Sequence, residues 1–475
     1  MSQLRKLIFS HGRVPGLLML YLLLQPVVDI LTSVAAQSGS SLTAGTVIRA
    51  VYVVVVALWL LFSRPYAGKR GVFLGTCLAT GYLALYCLHS LLTGGFSLCL
   101  TNAAESLKVF YFLYTALLLY ALYRQRRFVM PLWAIAASGA GYCLVIVLAF
   151  VTGSSFISYN AGYGYCGWFY SANDVSNIIL LSAPIILCLC LERLEKAKKW
   201  YSFLALSVVL FSVVFGACFI GTKLVYLGVL GYLVCALVWY LVRVTCFREK
   251  HLRRGLVAIL CLCALLLAIY PISPLNAYIN DVYVPMSGKD QAAMEASQAI
   301  PGIVEVDRAK KHAEMEAAAE GTWLGEQIKT QPLVKKLDWI LSRRLLSIAP
   351  ILQEYLDGNI LTKLIGLGYG QAPHHQREIV HLVEMEPLAL LLRHGIVGFA
   401  LYYLPCLAIA LWCIVCFFRR LKSRLADFTY CTNLFSALTA LAASVIVGHI
   451  LQTPCVSIFV AMVYGQLIAR TTKSN

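Results

Sequence analysis

The chain has 475 residues, of which 60% are hydrophobic and only 13% are charged. Its mean hydropathy is +0.77. A soluble protein of this length needs far more charged surface, so most of the chain must lie in lipid. The formal net charge of +17 would suggest a nucleic-acid ligand in a soluble protein. Here the basic residues are scattered over short turns beside apolar runs, which excludes nucleic acid as a partner.

Twelve apolar runs are long enough to cross a bilayer, which takes about 20 helical residues. They lie at residues 15–36, 44–63, 72–92, 102–123, 128–152, 174–191, 202–220, 222–242, 256–272, 396–418, 428–449 and 454–470. The sequence therefore predicts an all-α polytopic transmembrane helical bundle of about twelve spans. Nine spans fall within residues 1–272, a loop domain within 273–386 and three spans within 387–475.

The segments that connect these runs alternate in charge. When twelve spans are threaded through a membrane, 24 of the 39 Lys and Arg fall on one side. Four short loops on the other side, at 36–43, 93–101, 153–172 and 450–453, contain no Lys or Arg. Because positively charged loops remain in the cytoplasm, both termini are predicted there. The protein is thus predicted to be a multi-pass protein of the cytoplasmic membrane.

Residues 273–386 form the long hydrophilic stretch of the chain, with 15 Asp and Glu and 11 Lys and Arg. The threading puts this loop outside the cytoplasm. Its Ala-, Glu- and Lys-rich part at about 290–320 predicts a helix. Apolar residues spaced on one face predict a second helix at 333–349, which Pro350 should end or kink. The glycines of LIGLGYG then predict a tight turn at Gly366, Gly368 and Gly370.

Charged residues near or within the apolar runs are costly in lipid, so they mark functional sites or helix contacts. They map to the outer half of the bilayer: Asp29, Arg49, Glu105, Lys108, Asp174, Lys223 and Arg393. Glu105 and Lys108 are three residues apart and so are spaced to pair on one helix face. Ion pairs between helices and snorkelling side chains explain such residues, as does a polar cavity that opens outward. The one-sided placement of the set favours the cavity.

Cations and acid–base groups gather where the loop meets the membrane. Lys223, Arg343 and Arg344 offer positive charge near the outer surface, and arginine suits phosphate oxygens. Acid and base groups lie close to the point where the chain re-enters lipid: His374, His375, His381, Glu384 and Glu386. Cations that hold a diphosphate leaving group, with a base that deprotonates a hydroxyl, predict a group-transfer site.

Four stretches of the chain resemble the bacterial O-antigen ligase and polysaccharide polymerase family. GWFYSANDVSNIILLSAP resembles the family's segment in which an Asn opens a span, here Asn173. IGTKLVYLG is similar to its Ser-Arg motif, with Lys223 in the Arg position. SRRLL followed by GLGYG resembles the loop Arg before a glycine turn, which points to Arg344. EMEPLALLLRHGIVGFALYYLP resembles the His-Asn segment that leads into a late span, and the resemblance covers about residues 160–420.

The resemblance implies metal-independent glycosyl transfer, without a cofactor, at the outer face of the membrane. The donor would be a glycan on undecaprenyl diphosphate, and the acceptor another lipid-linked glycan or a surface acceptor. Lys223 and Arg344 would bind the diphosphate. Counting back from Gly395, the family's catalytic His position falls on Glu384, and His381 is the nearest histidine. The other predicted substrate-binding residues are Arg49, Asn173 and Arg343. Other envelope-polysaccharide assembly proteins are candidate partners.

Three alternatives to this interpretation stay open. His374, His375 and His381, together with Glu378, are residue types that bind metals. A flippase or transporter of lipid-linked glycans fits twelve spans with buried charges, although its charged groups more often lie near the midplane. A non-catalytic scaffold for envelope synthesis is the third. Ligase and polymerase share the motifs quoted above, so the sequence does not separate them.

Overall fold

The computed structural model of the chain describes residues 10, 12–39, 43–63, 70–157, 163–245, 247–249, 252–280, 308–341, 343–369 and 384–473. The first part is a bundle of helices with one short antiparallel β-hairpin. Its elements are α1 (Arg13–Leu23), α2 (Gln25–Gln37), α3 (Ala44–Phe62), α4 (Arg70–Arg126), α5 (Leu132–Val151), β1 (Phe156–Ile157), β2 (Tyr165–Gly167), α6 (Ala172–Lys196), α7 (Trp200–Phe219), α8 (Lys223–Thr245), α9 (Arg253–Ile269) and α10 (Pro274–Tyr278).

The hydrophilic loop is also helical in its described part, and long helices follow it. The loop contains α11 (Arg308–Ala319), α12 (Trp323–Thr330), α13 (Pro332–Ile340), α14 (Arg344–Asp357) and α15 (Ile360–Ile365). The chain then continues through α16 (Glu386–Arg419), α17 (Leu421–Ala426), α18 (Phe428–Ile446) and α19 (Pro454–Lys473). We call the end of the bundle that contacts α14 and α15 the loop side.

Within the described residues, ten helices are long and apolar enough to cross a membrane. The number is eleven when the bent pair α1 and α2 counts as one span. These helices confirm that the protein is an all-α, multi-pass membrane protein. The predicted runs at 202–220 and 222–242 form two separate helices, α7 and α8, because Gly221 between them adopts a φ of 84°.

The first predicted span is a broken helix rather than a straight one. Its two halves, α1 and α2, meet at Leu24 with a bend of 50°. Pro26 is the cause, because proline has no backbone N–H and its ring collides with the carbonyl group four residues earlier. The bend places Gln25 and Asp29, on the α2 side, close to Arg49 of α3.

The 57 residues of α4 form a hairpin of two helices, although they are assigned as one continuous element. Gly95 has non-helical angles, with φ 76° and ψ −169°. The hydroxyl groups of Thr80 and Tyr114 are 2.8 Å apart, whereas 34 residues of straight helix would separate them by roughly 50 Å. The predicted runs at 72–92 and 102–123 therefore fold back on each other at Gly95. The turn is tighter than the predicted loop at 93–101.

Helix α6 lies at the centre of the bundle. In its most apolar stretch 89% of the residues are buried, against 22% in α9 at the edge. A helix that is apolar all round belongs inside a bundle, and the sequence of α6 has that character. At its first turn the Ser171 hydroxyl accepts a hydrogen bond from the Asp174 backbone N–H at 3.3 Å. This cap fixes Asn173 and Asp174 at the loop side of the central helix.

The loop helices differ from the prediction in two respects. The predicted helix at 333–349 is interrupted between α13 and α14, where Arg343 adopts a left-handed φ of 64°. Asp338 stabilises the break, because its buried carboxylate accepts the Leu346 backbone N–H at 3.1 Å. Pro350, which was predicted to end or kink a helix, does not end one, because it lies inside α14. Of the predicted helix at 290–320, residues 308–319 are helical and 290–307 lie outside the described residues.

Two glycines dock the loop onto the bundle. Gly366 has a φ of 93° and Gly395 a φ of 64°, and the backbones of their segments touch. The Leu367 N–H donates to the Leu392 carbonyl at 2.8 Å, and the neighbouring Gly368 N–H donates to the next carbonyl at 3.1 Å. Asn102, near the hairpin turn of α4, accepts the Tyr369 N–H at 2.7 Å. The part of the predicted glycine turn at Gly366 and Gly368 is thus a clamp between the start of α16 and the hairpin, and Gly370 lies outside the described residues.

Candidate functional site

A cationic corner lies at the start of α8. Gly221 packs so closely on the loop before β2 that a Cβ would overlap the Tyr163 carbonyl oxygen. Thr222 follows, and its buried Oγ1 has no hydrogen-bond partner within the described residues. Lys223 is the first residue of α8, where the positive end of the helix dipole favours an anion. The corner combines a charge, a hydroxyl group and a helix N-terminus.

Arg344 lies in the same corner, on the first turn of α14. Its positive charge is close enough to act electrostatically on Lys223. Its Nη1 donates to the Ile446 carbonyl at the end of α18, at 3.0 Å, and its Nε donates to the Glu384 carboxylate. The structure therefore brings together three predicted site residues: Lys223, Arg344 and Glu384.

The side chain of Arg343 makes different contacts from that of Arg344. Its Nη1 lies 3.3 Å from Oδ2 of Asp338, whose side chain is fully buried. The pair ties the left-handed residue at the start of α14 to the end of α13. Within the described contacts, Arg343 thus supports the position of Arg344. Its role as a substrate ligand stays a prediction.

Arg49 belongs to a buried polar cluster between α2, α3 and α5. Its Nη2 lies 2.5 Å from Oδ1 of Asp29 and donates to Oε1 of Gln25 at 2.8 Å. The Tyr142 hydroxyl donates to the other oxygen of Asp29. The charges of this cluster reach Asp174 at the start of α6, so the cluster borders the site. Arg49 as a substrate ligand stays a prediction, because its described contacts are structural.

We expect the Arg49 cluster to matter for stability. Arg49→Met leaves the Asp29 carboxylate buried without its cation and should destabilise the protein by about 3–5 kcal/mol. The double variant Asp29→Asn/Arg49→Met removes both charges and should recover part of this loss. Thermal unfolding in detergent measures both effects, with Arg253→Met at an exposed position of α9 as the control. Wild-type stability of the single variant would contradict the structural role.

Asn173 lies in the first turn of α6, beside Asp174. Its backbone carbonyl accepts the Ser176 hydroxyl at 2.8 Å. One turn further, Asn177 donates to the carbonyl groups of Gly448 and His449, at 3.4 and 3.3 Å. The start of α6 is therefore joined to the loop between α18 and α19. The structure places Asn173 at the border of the site, and its contact with a substrate stays a prediction.

The loop at 447–453 contains a residue that the sequence reasoning missed. His449 has a left-handed φ of 58° and is half-buried between α6 and α16. Its neighbour Gly448, with a φ of 76°, packs against the Glu384 backbone, where a Cβ would overlap the carbonyl oxygen. The histidines that the sequence reasoning considered belong to the long hydrophilic loop, whereas His449 lies in a short turn far from it in the chain. The Gly-His pair in a short turn between two spans was the available signal.

Glu386 is an anchor of the same loop. Its carboxylate accepts the backbone N–H groups of Ile450, Leu451 and Gln452 at 2.7, 2.8 and 3.0 Å. Because its carboxylate is held by these three hydrogen bonds, Glu386 serves as a structural residue rather than as the acid or base that its position suggested. The remaining acid–base candidates of the sequence, His374, His375, Glu378 and His381, lie outside the described residues.

A second group of charges supports the glycine clamp. The Arg393 guanidinium donates to the Gly368 carbonyl at 2.7 Å and lies over the Tyr369 ring, 5.3 Å from its centroid. Burial raises the pKa of Glu354 on α14, and the nearby Arg393 charge partly offsets this rise. The predicted pair of Glu105 and Lys108 is present, with 2.6 Å between Nζ and Oε1. Arg393 therefore holds the loop on the bundle.

Comparison with protein-family models adds an independent finding. The model described as "O-antigen ligase like membrane protein" matches residues 12–474, nearly the whole chain. Comparison with curated proteins finds no match to this sequence. The match includes the four stretches quoted above and every residue of the cationic corner. The chain therefore belongs to the family of O-antigen ligase-like membrane proteins.

Proposed function

We propose that the protein transfers a glycan from undecaprenyl diphosphate to a hydroxyl group of an acceptor. The acceptor is another lipid-linked glycan, in a polymerisation, or a surface acceptor, in a ligation. The reaction is metal-independent and takes place at the outer face of the cytoplasmic membrane. Membership of the O-antigen ligase-like family supports glycan ligation or polymerisation as the type of reaction.

The cationic corner is the observation on which this proposal depends. When the bond between the sugar and the diphosphate breaks, negative charge develops on the leaving phosphate oxygen. Lys223 and Arg344 lie at the first turns of α8 and α14, within electrostatic range of each other. Thr222, which precedes Lys223, has an Oγ1 with no hydrogen-bond partner in the part of the chain that the structure describes. Fixed cations and donors of this kind stabilise the extra negative charge that develops on the leaving oxygen more than the less charged ground state. A bound diphosphate would compete with Glu384 for Arg344.

The threading of the chain supports an outward-facing site. Counting the α4 hairpin as two spans and the bent pair α1 and α2 as one gives twelve crossings. With both termini in the cytoplasm, as the basic loops indicate, the loop side then faces outward. This threading divides the chain into membrane parts at 1–272 and 387–475 and an outer loop domain at 273–386.

Transfer fits the charge positions better than transport does. Lys223 begins α8, Asp174 is in the first turn of α6 and Glu384 precedes α16. All three therefore lie at helix ends on the loop side, whereas a flippase more often has its charged groups near the midplane. A site at the membrane surface can reach a lipid diphosphate without moving it across the bilayer.

The direct test uses purified protein with an undecaprenyl-diphosphate oligosaccharide. We expect release of undecaprenyl diphosphate and a longer or transferred glycan. Donor alone giving a ladder of products would identify a polymerase, and a strict need for a second acceptor would identify a ligase. Authentic donor and acceptors that stay unchanged with folded wild-type protein would overturn the proposal.

Substitutions at Lys223 test its role in diphosphate binding. Lys223→Ala removes a charge-assisted contact to phosphate and should lower transfer roughly 10- to 100-fold. Lys223→Arg keeps the charge and should retain most of the activity. The initial rate of product formation measures both. Equal activity of the two variants would argue against diphosphate binding at Lys223.

A further inference from the structure

The loop between α18 and α19 holds His449 from three directions. Asn177 of α6 donates to the His449 carbonyl group at 3.3 Å. The preceding residue, Gly448, packs against the Glu384 backbone, and the following one, Ile450, donates its N–H to Glu386 at 2.7 Å. Contacts on both sides of His449 thus fix its left-handed backbone. The backbone from which the imidazole extends is therefore fixed beside Glu384, the residue that pairs with Arg344.

The charges around His449 suit an imidazole that gains a proton. Asn177, which donates to the His449 carbonyl group at 3.3 Å, lies one turn after Asp174 on α6. On the other side, Glu386 of α16 accepts the N–H of the next residue, Ile450, at 2.7 Å. Carboxylates on two sides stabilise an imidazolium ion, as the acidic residue does in a Ser-His-Asp triad.

Glu384 is poorly placed for the same task. The resemblance assigned the base to its position, yet its carboxylate accepts a hydrogen bond from the Arg344 guanidinium. An acceptor hydroxyl would have to compete with this guanidinium for the oxygens of the carboxylate. Arg344 also belongs to the diphosphate corner, so Glu384 serves to orient this cation until the substrate arrives.

We propose that His449 is the general base of the transfer, with Asp174 and Glu386 as the residues that stabilise its protonated form. This proposal rests on the proposed function. The imidazole takes the proton from the acceptor hydroxyl while the acceptor oxygen forms its bond to the anomeric carbon. The bond from that carbon to the diphosphate breaks, and its electron pair leaves with the phosphate oxygen beside Lys223 and Arg344. The proton then passes from His449 to water.

His449→Asn is the main variant for the test. Asn adopts left-handed backbone angles more readily than most residues, so this change should preserve the fold. It cannot accept the proton, and we expect a loss of kcat of roughly 10²- to 10⁴-fold with donor affinity unchanged. His449→Gln provides a second variant, and His89→Gln in the α4 hairpin is the matched control, with activity expected near wild type.

The pH profile of the wild-type enzyme gives a second readout. An imidazole that already carries a proton cannot accept another, so transfer by the wild type should fall toward acid pH. The fall should disappear in the residual activity of His449→Asn. A folded His449→Asn protein with transfer close to wild type, or a wild-type rate that does not fall at acid pH, would overturn the assignment. Absence of any product from the wild type would overturn the proposed function instead.

Discussion

Arg344→Ala will reduce glycan transfer by at least about 10²- to 10³-fold, the usual effect of removing one donor to a developing oxyanion. The variant loses the guanidinium that acts electrostatically on Lys223 and that bonds the Ile446 carbonyl at 3.0 Å. It also leaves the Glu384 carboxylate without its partner, next to the position of the leaving phosphate. A negative charge there repels the diphosphate, so donor affinity should fall together with the rate. Release of undecaprenyl diphosphate and donor binding measure the two effects.

Lys335→Ala is the matched control for Arg344. Lys335 is exposed on α13 in the same loop, and its removal changes the net charge by the same amount. Its transfer rate should stay near wild type. The double variant Arg344→Ala/Glu384→Gln removes the unpaired carboxylate and should regain part of the donor affinity but little of the rate. Wild-type transfer by folded Arg344→Ala would remove this residue from the site.

Gly366→Ala will detach the loop from the bundle. A Cβ at this position overlaps the Arg393 carbonyl group and the His394 backbone nitrogen, and backbone atoms cannot turn aside as a side chain can. With φ 93° and ψ 176°, Gly366 lies in a backbone region almost exclusive to glycine, which costs another residue roughly 1–3 kcal/mol. Overlap in a packed region adds about 1–3 kcal/mol. We expect a lower melting temperature in detergent and loss of transfer, because Arg344 depends on the docked loop.

Gly321→Ala separates the two causes. Gly321 has a φ of 75° in the same loop, but no atom lies within 4 Å of the position that its Cβ would take. This variant carries the backbone strain without the overlap, so it should be clearly more stable than Gly366→Ala. Limited proteolysis should cleave the loop of Gly366→Ala faster than that of Gly321→Ala. Equal stability and equal cleavage of the two would show that the clamp is not tightly packed.

The sequence predicts the helices well because the bilayer imposes a length and a composition on each span. The predicted runs at 44–63, 128–152 and 454–470 agree with α3, α5 and α19 to within a few residues. The separation of α7 from α8 also follows from the sequence, since Gly221 marks the break. The bend at Leu24 could have been predicted from Pro26, because the effect of proline on a helix is local.

Contacts between distant parts of the chain are harder to predict. The backfolding of α4 at Gly95 depends on pairs such as Thr80 and Tyr114, and the break between α13 and α14 depends on the Asp338 side chain. The motifs identified Lys223 and Arg344 because their positive charges stand out in an apolar sequence. His449 lies in a short turn, and its place beside Glu384 and the start of α6 results from the packing of three elements. A pattern along the sequence does not show which distant elements pack together.

Glu386 accepts hydrogen bonds from three backbone N–H groups. This has a consequence for the direction from which a glycan donor enters the site. Consecutive amides at 450–452 would attract phosphate if they were vacant, but the protein fills them with its own carboxylate. With these amides filled, Lys223 and Arg344 of the cationic corner are the groups that we expect to attract phosphate. On the proposed function, we therefore expect a lipid diphosphate to enter with its phosphates toward α8, so that its glycan extends toward the loop at 447–453.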